Sequence, residues 1–148
     1  MKRCVVVADD DPTIIDLVKL RLGMAQYHVY STGDGEAAVA LARKHDPVAV
    51  ILDVQMPGGD TPRGAPALAG RLRALESIKS DPDLKKVPVM MLTGERTTET
   101  VMQAMTGGAN DYMVKPFHPD VLLERLSRMV KSSAMQWRAA TPAAVWEI

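Results

Sequence analysis

Only one cysteine, Cys4, occurs in the chain, so no disulfide can close within it. Its place in an apolar run reads as a small buried hydrophobe rather than a reactive thiol. Net charge is also lacking: 18 Lys and Arg balance 18 Asp and Glu, leaving no overall field to draw the chain to nucleic acid or an anionic membrane. No apolar run approaches the roughly 18 residues of a spanning helix, and the amino terminus lacks the layout of a secretory signal. The expectation is a soluble, cytoplasmic protein with protein partners and without direct nucleic-acid or membrane binding. The three histidines, His28, His45 and His118, show no ligand spacing. Zinc is therefore not supported, and each reads as a surface or capping residue. What is present, 148 residues with 47% hydrophobic content, fits one core.

Short apolar runs rich in Val, Ile and Met recur at Cys4–Ala8, Val48–Leu52 and Val87–Leu92. They are too short for helices and too uniformly apolar for a sheet with a wet face, and so read as buried parallel strands. Weaker strands are expected at His28–Tyr30 and Asp111–Val114. Helical spacing appears at Ile14, Leu17, Val18 and Leu22, and again from Ala37 to Ala42. Asp11 followed by Pro12 starts the first helix, and Gly23 is expected to end it. Further helices are predicted at Leu72–Ile78, at Thr98–Met105 and from Pro119 to about Val130. Strand and helix alternate five times, which implies an α/β fold: a doubly wound five-stranded parallel sheet with helices on both faces. Its chemistry belongs beyond the carboxyl ends of the strands.

Several chemistry-bearing residues fall at that edge. Asp9, Asp10 and Asp11 follow the first strand, Asp53 ends the third, Thr93 ends the fourth and Lys115 follows the fifth. Carboxylates so close together repel unless a cation joins them, and a set of hard oxygen ligands suits Mg²⁺. Asp11 reads as a helix cap rather than a ligand.

The runs Val7-Ala8-Asp9-Asp10-Asp11-Pro12, Ile51-Leu52-Asp53-Val54-Gln55-Met56-Pro57, Leu92-Thr93 and Tyr112-Met113-Val114-Lys115-Pro116-Phe117 resemble the receiver domains of bacterial response regulators. The resemblance covers about residues 3–131. It carries the flavodoxin-like strand order 2-1-3-4-5, of which a chemotaxis receiver is itself a type example. It further implies a phosphoprotein of a two-component phosphorelay, a substrate and switch rather than an enzyme. Asp53 would be the phosphorylation site, accepting the group from a sensor histidine kinase or a histidine phosphotransfer protein. Asp9, Asp10, Asp53 and the main-chain carbonyl of Gln55 would hold Mg²⁺. Lys115 and Thr93 would act on the phosphoryl oxygens, the Lys115–Pro116 bond would be cis, and Thr93 with Tyr112 would switch the surface read by a downstream protein.

Two stretches depart from the family pattern. Residues 58–70, rich in Pro, Gly and Ala, read as an inserted loop within a receiver domain of residues 1–131, shaping access for a kinase or phosphatase. Residues 132–148 read as a tail carrying Trp137 and Trp146, which docks on its own domain or on a second copy in a homodimer, or is the start of a linker. Other functions stay open at this point: a phosphorylation-independent pseudo-receiver, or the receiver portion of a larger DNA-binding or cyclic-nucleotide regulator. A phosphatase of the haloacid dehalogenase type also places an Asp after a strand, but expects an acid where Gln55 stands.

Overall fold

The computed structural model of the chain describes residues 3–54, 72–94 and 98–140, with 134–140 by backbone alone. Five strands, β1 (Arg3–Ala8), β2 (Tyr27–Thr32), β3 (Ala49–Asp53), β4 (Val89–Thr93) and β5 (Asp111–Val114), form one sheet. All pairs are parallel and the order is β2-β1-β3-β4-β5, as expected. The helices are α1 (Pro12–Met24), α2 (Gly35–His45), α3 (Arg73–Ser80), α4 (Thr98–Thr106) and α5 (Pro119–Ala140).

The two-residue period of the strands sorts the core into two halves. Val6, Ala8, Val50, Leu52, Val89 and Met91 face Ala38 and Ala42 of α2, Leu75 and Ile78 of α3 and Ala104 of α4. Val5, Val7, Ala49, Ile51, Met90 and Leu92 face Val18 and Leu22 of α1 and Leu122, Leu126 and Met129 of α5. Both faces are thus covered, which is why the central strands are apolar without alternation.

Several bounds differ from expectation for physical reasons. Pro88 carries no N–H to give, so β4 starts at Val89, although the Pro88 carbonyl still accepts from Val50 N–H at 3.0 Å. Gly23 does not end α1; the helix continues to Met24, and Gln26 takes the left-handed conformation with φ 71°. Cys4 is only half-buried, its thiol donating to the His45 carbonyl at 3.2 Å, and burial pushes its pKa up. Helix α5 runs to Ala140, ten residues beyond the expected Val130 and across the expected 131/132 boundary. The inserted stretch 58–70 and residues 141–148, with Trp146, lie outside the described residues.

A lysine clamps the amino-terminal edge of the sheet. Lys79 Nζ donates to the Val87 carbonyl at 2.9 Å and to Asn110 Oδ1 at 3.1 Å, while Asn110 Oδ1 also accepts from Val89 N–H at 2.9 Å. Burial lowers the Lys79 pKa. Its stem lies against Gly108, where φ is 103° and an added Cβ would come within 3.0 Å of Lys79 Cγ. Lys79→Met keeps the stem and removes the donor, leaving these acceptors short of a partner. Chemical denaturation is expected to register a loss of about 1–3 kcal/mol; an unchanged midpoint would show the clamp to be idle.

Candidate functional site

The register sets the site. Ala8 is level with Leu52, so Asp9, one residue on, comes level with Asp53, which itself pairs with Leu92. Thr93 pairs with Val114, and Lys115 follows. Backbone bonds prolong the ladder past the strands: Asp9 N–H donates to Thr32 O at 3.0 Å, Val54 N–H to Leu92 O at 2.8 Å and Lys115 N–H to Thr93 O at 2.7 Å. Residues remote in sequence are thereby fixed by hydrogen-bonded backbone.

Asp9 and Asp53 are each 2% exposed and Thr93 is fully buried, whereas Asp10 is exposed. Lys115 Nζ lies 2.7 Å from Asp9 Oδ2 and 3.1 Å from Asp53 Oδ2. Burial alone would lower the Lys115 pKa; its contact with Asp9 and the charge of Asp53 outweigh this and raise it. The lysine is therefore a fixed positive charge across the neutral range. Asp9 Oδ1 accepts from Asp11 N–H at 2.9 Å. Its Oδ2, although close to the ammonium, has no directed hydrogen bond among the described residues. A buried carboxylate oxygen with a lone pair unspent favours a cation.

The oxygens of Asp9, Asp10 and Asp53 lie within 4.8 Å of one another, the one such acidic group among the described residues. This hard-oxygen set, with an exposed member on the solvent side, fits Mg²⁺ and leaves room for water. Gln55 lies outside the described residues, so the fourth expected ligand has no described position.

Asp11 is a cap, its Oδ1 accepting from Thr13 N–H at 2.9 Å. The Lys115–Pro116 peptide bond is cis. Tyr112 is half-buried and packs against the core half beneath α2, α3 and α4. The histidines stand apart from the site. His45 stacks on Tyr30 with ring centroids 3.7 Å apart, His28 meets Tyr30 edge-on, and His118 Nδ1 accepts from Asp120 N–H at 3.1 Å at the start of α5. Sequence reasoning missed that Asp9 is oriented by backbone groups of Asp11 and Thr32. Every residue except proline carries both groups, so no residue type marks them.

The family model of the response regulator receiver domain matches residues 5–127. The chain is 31% identical over 132 residues to the cell cycle transcriptional regulator CtrA of Caulobacter vibrioides, covering 87% of this chain and 51% of that protein. It is 31% identical over 127 residues to the DNA-binding dual master transcriptional regulator RpaA of Synechocystis sp., covering 86% and 48%. The chain thus spans about half the length of these curated relatives. Among solved structures, the chemotaxis protein CheY4 of Vibrio cholerae is similar with 29% identity and a TM-score of 0.75, covering 87% of this chain and 99% of that one. No helix among the described residues is long and apolar enough to cross a membrane.

Proposed function

Because this chain belongs to the response regulator receiver domain family, we propose that it is a phosphoacceptor switch in which Asp53 takes a phosphoryl group from a sensor histidine kinase or histidine phosphotransfer protein. The observation that carries this reading is the lysine bridge from Asp9 to Asp53, which joins two buried carboxylates at the ends of neighbouring strands. An Asp53 oxygen attacks phosphorus in line, the bond from phosphorus to the donor nitrogen breaks, and an aspartyl phosphate forms. Lys115 is already held at the carboxylate and pairs with charge on a phosphoryl oxygen. The Thr93 hydroxyl donates to another, and Tyr112 repacks against the core in response, so that the surface offered to a downstream protein changes. Asp9, Asp10, Asp53 and the Gln55 carbonyl would hold Mg²⁺, which when bound neutralises charge on the phosphoryl oxygens.

The site is consumed stoichiometrically, as in a signalling substrate rather than a turnover enzyme, and the pocket belongs in the cytoplasm, where kinase and Mg²⁺ are available. Treatment with acetyl phosphate and Mg²⁺ is expected to add one phosphoryl group by intact mass, and chelation of the metal to prevent it. No added mass under either condition would favour the phosphorylation-independent interaction module instead. A second reading, a receiver serving a larger regulator, draws on relatives twice as long that are named as transcriptional regulators. On that reading nucleic acid is contacted by the part of the regulator outside the match.

A further inference from the structure

Asp11 is bonded in two directions at once. Its side chain caps α1, Oδ1 accepting from Thr13 N–H at 2.9 Å, while its main-chain N–H donates to Asp9 Oδ1, also at 2.9 Å. Its carbonyl accepts the first intrahelical bond, from Ile15 N–H at 3.1 Å. Asp11 is exposed, whereas the Asp9 it holds is buried.

The Asp9 carboxylate needs such a hold. Its main chain is fixed past the end of β1 by the bond to Thr32 O, but the torsion that turns a carboxyl group on its Cβ is broad and has no deep staggered well. A donor kept at one oxygen removes that freedom. With Oδ1 on the Asp11 N–H, Oδ2 is turned to Lys115 Nζ at 2.7 Å, the ammonium that Asp9 shares with Asp53.

The donor is only as fixed as the peptide that carries it. Asp11 holds an extended backbone, φ −93° and ψ 111°, which the following Pro12 favours and the side-chain cap secures. Without the cap acceptor the first turn of α1 loosens, and the N–H that meets Asp9 loosens with it.

We propose that Asp11 is a positioning residue for the acidic site: by capping α1 it holds the peptide N–H that orients the Asp9 carboxylate toward a cation. The role rests on the reading of Asp9, Asp10 and Asp53 as Mg²⁺ ligands and gives Asp11 no contact with the metal. It belongs to the acceptor atom of Asp11, not to its charge.

Calorimetric titration of the full chain with Mg²⁺, in salt of about 0.15 M where exposed charges are screened, separates the two. Asp11→Asn keeps the acceptor and loses the charge, Asp11→Ala loses both, and Asp11→Glu keeps the charge on a side chain poorly suited to the cap. The Asp11→Asn variant is expected to bind Mg²⁺ within about twofold of the parent, and the other two about fivefold more weakly, the scale of a lost cap. In the metal-free protein the carboxyl-carbon resonance of Asp9 should move further in those two than in Asp11→Asn. Parental Mg²⁺ affinity in Asp11→Ala, with thermal stability alone reduced, would make Asp11 a helix cap and nothing more and overturn the inference. Equal weakening in Asp11→Asn and Asp11→Ala would also overturn it, by assigning the effect to charge. A parent that takes up no Mg²⁺ sinks the metal reading itself, and the Asp9 resonance then decides the orienting role alone.

Discussion

Asp53→Asn is expected to take up no phosphoryl group under conditions that modify the parent, while making the metal-free protein more stable. The first result follows from chemistry, since an amide oxygen in place of the carboxylate is not a competent nucleophile toward phosphorus. The second follows from the count of charges. Asp53 lies 2% exposed among Asp9, Asp10 and Lys115. Its removal abolishes two like-charge contacts, one attraction to the ammonium and the desolvation of a buried carboxylate. Repulsion and desolvation together are expected to outweigh the lost attraction to Lys115, because the amide of Asn keeps an oxygen that can still accept hydrogen bonds made to the carboxylate. Thermal unfolding in chelator should show the variant above the parent. Added Mg²⁺ should narrow the gap, because ligand binding stabilises the parent by mass action and the variant has lost a ligand. A variant less stable than the parent in chelator would show that Lys115 dominates the local electrostatics.

Lys115→Met acts in the opposite direction. Removing the ammonium leaves Asp9 and Asp53 buried side by side, with the cation that stood 2.7 Å and 3.1 Å from them gone. Breaking a buried ion pair from one side costs about 3–5 kcal/mol, which is the loss expected in urea denaturation without metal. Mg²⁺ should recover part of it by supplying another positive charge at the same oxygens. Phosphoryl uptake should slow by about 10²–10³-fold even in saturating Mg²⁺, the scale on which one preorganised charge at the reacting oxygens contributes. Uptake at the parental rate would remove Lys115 from the chemistry and leave it a structural role.

The central strands were readable in the sequence because burial on both faces leaves them apolar up to their last residues, Asp53 and Thr93: β3 and β4 are buried along their whole length. The site followed from those strands, since Asp9, Asp53, Thr93 and Lys115 need only a strand end and a register to converge. What the residues did not announce was long-range and made by backbone or aliphatic chain. Lys79 reads as an ordinary helix-surface lysine until β4 and the Asn110 turn bring their oxygens to it. The length of α5 was hidden for a different reason. Its buried apolar stripe is read as far as Val130, whereas the backbone stays helical to Ala140 through a stretch in which Ala134, Ala139 and Ala140 favour helix by propensity. Cys4 looked buried because its neighbours are, but its own position is at the β2–β1 side of the sheet near the end of α2, where His45 covers it only partly.

Helix α5 starts after Lys115, at the edge that carries the acidic pocket, and descends antiparallel to the strands until Ser133 meets Lys86 before β4 begins. A label or support joined to α5 at Ser133 is therefore attached at the pole opposite Asp53. A sensor chip loaded through a cysteine placed there would leave the phosphoacceptor facing the flow, and binding of a phosphodonor protein could be followed without the surface standing in its way.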